Sequence, residues 1–263
     1  MHPCALTIAG SDSGGGAGIQ ADLKTFAAHG VHGLSVLAAL TAQHTRGVTA
    51  VHVPPLDFLR AQIDACFDDF DIRVVKLGML ADAGVIDTVV DALARHRPAA
   101  LVLDPVMVAT SGARLLASEA LHALRTRLLP LATVVTPNIP EAELLLERTI
   151  RTPDDADAAA DALVTLGAGA ALVKGGHLAV DGPVVDRLRM ASQRLTFEHP
   201  RLALDAHGTG CTLASAIAAR LVLGDDVAQA CSAASDYVHR ALLQGYRPGR
   251  GDVVVLDHVG AMR

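Results

Sequence analysis

Short apolar segments alternate with longer amphipathic segments along most of this 263-residue chain. The apolar segments predict strands at residues 5–9, 34–40, 73–77, 100–103, 133–135 and 170–173. The amphipathic segments predict helices near residues 17–29, 55–68, 82–96, 117–128, 140–147, 153–166, 210–223 and 226–244. Strand–helix alternation of this kind is typical of an α/β fold in which a mostly parallel sheet is covered by helices on both faces.

The stretch 182–200 departs from this alternation. Two strand-like segments, 184–189 and 194–198, flank a short polar connection, which predicts an antiparallel hairpin attached to the parallel sheet. Length alone would allow one large domain or two small ones. Because no proline- or glycine-rich linker divides the sequence and no internal repeat is visible, we expect one continuous domain over residues 1–263.

Composition limits the classes of protein to which the chain can belong. Apolar residues make up 51% of it and aromatic residues only 3%, which predicts a large core of Ala, Val, Leu and Ile. No apolar run approaches the roughly 20 residues of a membrane helix, so no membrane partner is expected. A net charge of −6 without a basic run argues against a nucleic-acid partner. The amino terminus lacks an export signal and the four cysteines lack metal-like spacing, which favours the reducing cytoplasm.

The sequence HGTGCT at residues 207–212 runs directly into an apolar helical pattern. Glycines let the backbone turn tightly, and unpaired N–H groups at a helix start attract anions, phosphate above all. The pattern therefore predicts a phosphate site that includes Gly208 and Gly210. An ordinary loop-to-helix turn is the alternative.

A second glycine-rich segment, residues 10–18, follows the first predicted strand. Residues 16–21 match the loose dinucleotide fingerprint, but the acidic residue that should follow about 20 positions later is missing. This makes a dehydrogenase a poor interpretation, and the absence of a Gly-Lys-Ser/Thr sequence excludes a P-loop. The following helix carries Asp22 and Lys24, which are either functional groups or ordinary solvated helix residues.

Polar residues follow several of the other predicted strands. Asp104 is costly to desolvate unless it meets Mg²⁺ or a lysine, the alternative being a simple turn aspartate. Asn138 and Glu141 either offer oxygen ligands to Mg²⁺ or form a helix N-cap and capping box, and both can hold at once. Lys174 begins a Lys-Gly-Gly segment that offers a cation and backbone amides to a phosphate. Since ligands of open α/β sheets collect beyond the carboxyl ends of the strands, these groups should converge, as phosphoryl transfer requires.

Seven segments of the chain resemble, in the same order, segments of the hydroxymethylpyrimidine/phosphomethylpyrimidine kinase family of the ribokinase-like superfamily. They are residues 9–24, 41–43, 76–80, 104–107, 136–138, 174–177 and 207–212. The resemblance implies a ribokinase-like three-layer fold and an enzyme that uses ATP and Mg²⁺. It implies phosphorylation of 4-amino-5-hydroxymethyl-2-methylpyrimidine and then of its monophosphate, for thiamine biosynthesis. It also implies a homodimer.

The same resemblance assigns roles to single residues. Asp22 and Gln43 would hydrogen-bond the aminopyrimidine, while Met79 and Val106 would line its apolar faces. A carboxylate and an amide suit a ring that carries both donors and acceptors. The remaining assignments are Gly208, Gly210 and Cys211 for the anion hole, Lys174, Thr209 and Asn138 for the nucleotide phosphates, and Asp104 and Glu141, again with Asn138, for Mg²⁺ and its waters.

Two positions depart from related kinases. Sugar kinases of the superfamily carry an aspartate base where this chain has Cys211. A helix start can lower the pKa of a thiol below ~8.5, so Cys211 either accepts the hydroxyl proton or only packs and donates its backbone N–H. The family often has a lysine where this chain has Thr110, which would weaken the second transfer if that lysine touches phosphate.

Two alternative functions stay open at this point. A pyridoxal kinase of the same branch would also phosphorylate a flat nitrogen heterocycle that bears a hydroxymethyl group. A catalytically silent pyrimidine sensor is the other alternative, although the retention of Lys76, Lys174, Asp104 and Glu141 speaks against it.

Overall fold

The computed structural model describes residues 2–108, 112 and 115–262. The strands in this part of the chain are β1 Cys4–Asp12, β2 His32–His44, β3 Gly47–His52, β4 Ile72–Leu77, β5 Ala100–Leu103, β6 Val134–Val135, β7 Ala170–Val173, β8 Val184–Met190, β9 Arg194–His199, β10 Ala206–His207 and β11 Val254–Val255. The α-helices are α1 Gly18–Ala28, α2 Leu56–Asp69, α3 Ala83–His96, α4 Ala120–Ala123, α5 Ile139–Leu146, α6 Pro153–Thr165, α7 Thr209–Val222 and α8 Val227–Leu243.

Nine of the described strands form one sheet in the order β3-β2-β1-β4-β5-β6-β7-β8-β9. Six neighbouring strands of this sheet pair in parallel, in the order β2-β1-β4-β5-β6-β7. β3 pairs with β2 and β8 with β7 in antiparallel fashion, and β9 extends the β8 hairpin. The predicted mostly parallel sheet and its antiparallel hairpin are therefore confirmed.

The register of the parallel strands brings their carboxyl ends to one edge of the sheet. Ile8 of β1 is level with Leu77 of β4, which is level in turn with Leu103 of β5 and through it with Val135 of β6. The residues that follow these positions, Asp104 among them, therefore emerge side by side.

Each face of the sheet has its own apolar core. On one face α2 to α6 pack against side chains such as Leu6 and Ile8 of β1. On the other face α1, α7 and α8 pack against Ala5, which precedes Leu6 in β1, and against Val74 and Val102. Because successive strand residues point to opposite faces, the continuous apolar strands of the sequence supply both cores at once. The prediction of helices on both faces is confirmed.

The predicted helix at 117–128 is the clearest difference between sequence and structure. It is an α-helix only over Ala120–Ala123, continues as a π turn over Leu124–Leu128 and ends in a 3-10 turn over Leu129–Leu131. Pro130 explains the irregular end, because proline has no N–H to donate and its ring clashes with the carbonyl four residues earlier.

Three strands were not predicted. β3 is an edge strand with mostly exposed residues, so it lacks the apolar alternation that marks a strand in sequence. β10 and β11 are two residues long and exist through their pairing with each other.

The single-domain expectation stays a prediction, and Thr110 lies outside the described residues. Among residues 2–108 and 115–262 we find no helix of the length and apolarity that a membrane crossing requires.

Candidate active site

A cavity of about 700 Å³ lies beyond the carboxyl ends of the parallel strands. Eleven of the twelve predicted site residues line it, and Asp22 is the exception among them. Its lining includes Gln43, Met79 and Val106, which we call the ring slot, and apolar side chains of α8 such as Val238 and Leu242. The predicted convergence of the motifs is therefore observed.

The centre of the cavity is formed by the start of α7. Gly208 caps the helix with a φ of 87°, a conformation that favours glycine. Its carbonyl oxygen accepts bonds from Thr212 N (2.9 Å) and Thr212 Oγ1 (2.8 Å), which fixes the first turn. A Cβ on Gly208 would overlap the carbonyl oxygen of Gly16, so the two glycine-rich segments are in backbone contact. The first N–H groups of the helix, from Thr209 onward, are left for a ligand.

Lys174 and Asp104 face this helix start. A Cβ on Gly210 would lie 3.0 Å from Lys174 Nζ and 3.4 Å from Asp104 Oδ2, so a narrow gap separates the helix from this pair. Lys174 Nζ lies 3.2 Å from Asp104 Oδ1 and 3.8 Å from Glu141 Oε2. Burial alone would lower the pKa of Lys174, but the two carboxylates outweigh burial and raise it above its usual value. A permanent cation therefore stands opposite the unpaired N–H groups.

Asn138 and Glu141 form a capping box at the start of α5. Glu141 N donates to Asn138 Oδ1 at 2.9 Å, and Asn138 N donates to Glu141 Oε2 at 2.8 Å. The capping interpretation is thus correct, while the roles of both residues toward Mg²⁺ and nucleotide stay predictions. Burial, reinforced by the charge of Asp104 and opposed by Lys174, raises the pKa of Glu141 to about 7.

The carboxylates of Asp104 and Glu141 fit a divalent cation. Asp104 Oδ2 is buried and has no hydrogen-bond partner within the described part of the chain, and an orphaned buried oxygen is costly. Burial and the neighbouring charge of Asp104 raise the pKa of Glu141 despite Lys174, so a further cation beside these two carboxylates would stabilise their charged forms. Over the described residues no cluster of three or more His, Cys, Asp or Glu ligands occurs. A magnesium ion here would rely on two carboxylates, with phosphate oxygens and water completing its shell.

The ring slot combines the amide of Gln43 with apolar side chains. Met79 is buried, and its sulfur would lie 2.9 Å from a Cβ on Gly10, so only glycine leaves room for it. Val106 lines the same cavity. The carboxamide of Gln43 lies 3.0 Å from Thr41 Oγ1 and 3.0 Å from His207 Nε2. An edge of a flat heterocycle could hydrogen-bond this amide while its faces contact Met79 and Val106.

The structure corrects the expectation for Asp22. Its side chain is fully buried behind the cavity wall, and both carboxylate oxygens are already bonded. Lys76 Nζ donates to both oxygens at 2.8 and 2.9 Å, Ser215 Oγ donates to Oδ1 at 2.6 Å, and Thr7 Oγ1 donates to Oδ2 at 2.6 Å. With three donor groups forming four hydrogen bonds to it, Asp22 supports Lys76 and α7 and is not placed to hydrogen-bond a ring in the slot.

The surroundings of Cys211 favour one of its two interpretations, while its role in the transfer stays a prediction. Burial, with smaller contributions from Asp22 and Asp104, outweighs the opposing charge of Lys76 and raises the pKa of the thiol to about 12. The thiol is therefore neutral near pH 7, contrary to the lowered pKa expected at a helix start. The interpretation in which Cys211 packs and donates its backbone N–H fits this geometry.

Sequence reasoning missed three side chains that hold the loops of the site. Asp12 accepts bonds from the N–H groups of residues 14, 16 and 17 at 2.7, 3.0 and 2.8 Å, an aspartate turn that the glycine-rich context could have indicated. His207 Nε2 lies 3.0 Å from Asp12 Oδ2 and so joins the two glycine-rich segments. Asp186 Oδ1 accepts the N–H of Gly175 at 2.8 Å and fixes the loop after Lys174.

Comparison with known sequences gives a consistent result. Residues 12–256 match the family model described as phosphomethylpyrimidine kinase. The hydroxymethylpyrimidine/phosphomethylpyrimidine kinase of Streptomyces coelicolor is 48% identical over 261 residues, which cover 99% of this chain and 96% of that protein.

Two solved structures illustrate the fold that this chain shares with known kinases. A phosphomethylpyrimidine kinase from Clostridium difficile is 42% identical with a TM-score of 0.81, covering 90% of this chain and 98% of that one. The pyridoxal kinase of Bacillus subtilis, solved as an ADP complex, is 34% identical with a TM-score of 0.91, covering 99% and 98%. Fold similarity thus extends to kinases named for either heterocycle, and sequence identity is higher with the pyrimidine kinase.

Proposed function

The chain belongs to the phosphomethylpyrimidine kinase family, and we propose that its cavity performs two successive phosphoryl transfers from ATP. The first acceptor is the hydroxymethyl group of 4-amino-5-hydroxymethyl-2-methylpyrimidine. The second is the resulting monophosphate, which becomes the diphosphate used to build thiamine. The chain is accordingly a phosphotransferase with a ribokinase-like fold.

One observation carries this proposal. The start of α7 faces Lys174 and Asp104 across a gap so narrow that a Cβ on Gly210 would nearly touch both. In the order of the sheet, two other residues of the cavity lining, Gln43 of β2 and His199 of β9, lie on opposite sides of Asp104, which follows β5. A phosphoryl group with one oxygen directed into the gap would therefore have a ring site and a nucleotide site on opposite sides, as in-line transfer requires.

The residues of the gap act on charge and position. The N–H groups of Gly210 and Cys211 are fixed dipoles aimed at the phosphoryl oxygens, which need no reorganisation as charge redistributes during transfer. Lys174 neutralises the nucleotide phosphates from the other side. Because the transition state of phosphoryl transfer is loose, the acceptor needs little activation, which agrees with a neutral thiol at Cys211.

We propose that Asp104 and Glu141, with Asn138 beside them, hold Mg²⁺ and its waters. The unpartnered Oδ2 of Asp104 and the pKa of Glu141, which burial and the charge of Asp104 raise, support this assignment. Bound there, Mg²⁺ would neutralise charge on the nucleotide phosphates. Thr209, at the first position of α7, would contact the same phosphates.

A pyridoxal kinase remains the second candidate function. The observation that favours it is the TM-score of 0.91 with the Bacillus subtilis pyridoxal kinase, against 0.81 with the Clostridium difficile phosphomethylpyrimidine kinase. Pyridoxal is also a flat nitrogen heterocycle with a hydroxymethyl group, so the slot beside Met79 can accept its shape. We rank the pyrimidine first because the more similar sequences are pyrimidine kinases.

We extend the proposal to a homodimer in the cytoplasm. The exposed edge strand β3, with Val51 45% exposed, supports a subunit contact. The four cysteines are free thiols in the described structure, which suits a reducing compartment. Light scattering after size-exclusion chromatography tests the dimer directly.

Phosphorus NMR of the reaction products tests the function. Purified protein with the free pyrimidine, ATP and Mg²⁺ should give first the monophosphate and then the diphosphate signal. Faster turnover of pyridoxal than of the pyrimidine in the same assay would reverse our ranking. Binding of the pyrimidine without release of ADP would indicate the silent sensor instead.

A further inference from the structure

The imidazole of His207 contacts the amide of Gln43 as well as the carboxylate of Asp12. His207 Nε2 lies 3.0 Å from Asp12 Oδ2 and 3.0 Å from Gln43 Nε2, and the Oε1 of the same carboxamide lies 3.0 Å from Thr41 Oγ1. The His207 side chain is nearly buried, with 10% exposed, so neither contact is replaced easily by water. His207 itself lies one residue before the Gly208 cap and therefore stands between the ring slot and the phosphate cradle.

The hydrogen bonds between Asp12 and His207 determine which atom of the Gln43 amide should face His207. Asp12 is ionised, because it accepts three backbone N–H groups and its pKa is held below the usual value. His207 Nε2 must therefore carry a proton and donate it toward Asp12. A protonated Nε2 cannot accept from Gln43 Nε2, which faces it at 3.0 Å. Since the two ends of an amide are assigned from their hydrogen bonds, we turn the carboxamide by half a turn, and its oxygen then shares the single Nε2–H of His207 with Asp12 Oδ2.

The contact between Thr41 and the other end of the Gln43 amide leads to the same orientation of the amide. Thr41 Oγ1 lies 2.9 Å from the carbonyl oxygen of Ser11, which can only accept, so the Thr41 hydroxyl donates its one proton there. The lone pairs of Thr41 Oγ1 then face Gln43 Oε1 at 3.0 Å, which sets two acceptors against each other, whereas Thr41 Oγ1 needs a donor. The amide nitrogen of Gln43 satisfies it, provided that the oxygen points to His207.

This orientation fixes what Gln43 offers to a ligand. Its oxygen keeps one free lone pair on the His207 side, and its nitrogen keeps one free N–H on the Thr41 side. A 4-aminopyrimidine ring presents its amino donor next to the ring acceptor N3. The amino group would pair with the Gln43 oxygen and N3 with the Gln43 N–H, so the match holds in this orientation of the amide only. Rotation of the amide by half a turn would set donor against donor and acceptor against acceptor.

We propose that His207 is a positioning residue that determines specificity for the aminopyrimidine by holding the Gln43 carboxamide, together with Thr41, in one of its two orientations. The inference rests on the proposed function, since it takes the aminopyrimidine as the ring in the slot. Sites built to hydrogen-bond a substrate edge reject a mismatched edge strongly, because their buried polar groups are left unpaired.

The matching test compares two substrates whose ring edges have opposite order. The 4-oxo analogue of the pyrimidine carries an N3–H donor beside a carbonyl acceptor, and otherwise keeps the hydroxymethyl and methyl groups. The wild type should prefer the 4-amino compound by about 100-fold or more in kcat/KM. In His207→Leu and in Thr41→Val, where one side no longer holds the amide, this preference should fall by about tenfold.

Control variants separate positioning from loop support. His207→Gln restores an N–H donor and should keep the preference within about threefold of wild type. His96→Leu removes a histidine whose Nε2 lies 2.9 Å from Asp64 outside the cavity, and should leave the preference unchanged. The KM for ATP should change by less than about threefold in each variant. Thr41→Val carries the test alone if His207→Leu does not fold.

The outcomes are distinct. An equal loss of kcat/KM for both pyrimidines in His207→Leu and Thr41→Val would overturn the inference, since it would mean that these residues only support the loops. An unchanged preference would overturn it as well. A wild-type protein that phosphorylates neither pyrimidine would refute the proposed function itself, and the inference with it.

Discussion

Replacement of Gly210 by alanine should separate the phosphate cradle from the stability of the fold. Gly210 is the second residue of α7, and its conformation is ordinary for a helix, so alanine is not strained there. Glycine in a helix costs roughly 0.5–1 kcal/mol relative to alanine, which favours the variant. The added Cβ would lie 3.0 Å from Lys174 Nζ, the far end of a flexible side chain that can shift by a few tenths of an ångström. We therefore expect the free energy of unfolding to stay within about 1 kcal/mol of wild type.

The catalytic activity of Gly210→Ala, unlike its stability, should fall strongly. The methyl group would occupy the gap between the α7 start and the Lys174–Asp104 pair, where the proposed phosphoryl group lies. Lys174 would also be pushed against Asp104, which it contacts at 3.2 Å. Misplacing the donors to a developing charge costs about 2.7–4 kcal/mol in comparable sites, so kcat/KM should fall by at least about 100-fold.

Gly84→Ala is a matched control for this variant. Gly84 is likewise the second residue of a 14-residue helix, α3, and its Cβ would lie 3.1 Å from Leu56 Cδ1, a flexible apolar end outside the cavity. Steady-state kinetics and urea unfolding of both variants give the comparison. Equal kcat/KM for Gly210→Ala and Gly84→Ala would refute the location of the phosphoryl group in the gap.

Three further predictions concern single side chains. Gln43→Ala should raise the KM for the pyrimidine by about tenfold, the equivalent of about 1.4 kcal/mol, and the KM for ATP much less; an unchanged pyrimidine KM in steady-state kinetics would remove Gln43 from the slot. Because burial raises the pKa of Cys211 to about 12, the pH dependence of kcat should show no ionisation near the usual thiol pKa of ~8.5, and Cys211→Ala should keep kcat within about tenfold. A thiol-like ionisation that disappears in that variant would contradict this. Burial raises the pKa of Glu141 from 4.5 to about 7, so the folded chain binds this proton more tightly than the unfolded chain does. The free energy of unfolding should therefore fall as pH rises from 4.5 to 7, by an amount on the order of 3 kcal/mol, and Glu141→Gln should flatten this dependence in urea unfolding.

The central strands and most helices were predictable because each carries its own signal. β5 and β7 are continuous apolar runs, and β4 is mostly apolar apart from Arg73 and Lys76. All three begin and end within one residue of their predicted bounds. The π turn after α4 and the edge strand β3 carry no such local pattern. Their conformation depends on Pro130 in one case and on pairing with β2 in the other.

The candidate site was predictable as a set but not in its details. Motifs that follow parallel strands must converge, because the register brings the strand ends together. Asp22 shows the limit of this reasoning, since its partners Lys76 and Ser215 are 54 and 193 residues away in sequence. Only packing reveals that Asp22 has no bonding capacity left for a ligand.

The sequence by itself determined the sheet, the position of the glycine turn at the start of a helix, and the inventory of charged groups around it. These depend on local periodicity and on strand order, which act over a few residues at a time. The tertiary structure decided the state of each group: a neutral thiol at Cys211, an orphaned oxygen on Asp104, and an amide at Gln43 that His207 can orient. Protonation and hydrogen-bond direction depend on burial and on neighbours from distant segments, and folding alone brings those neighbours within 3 to 4 Å.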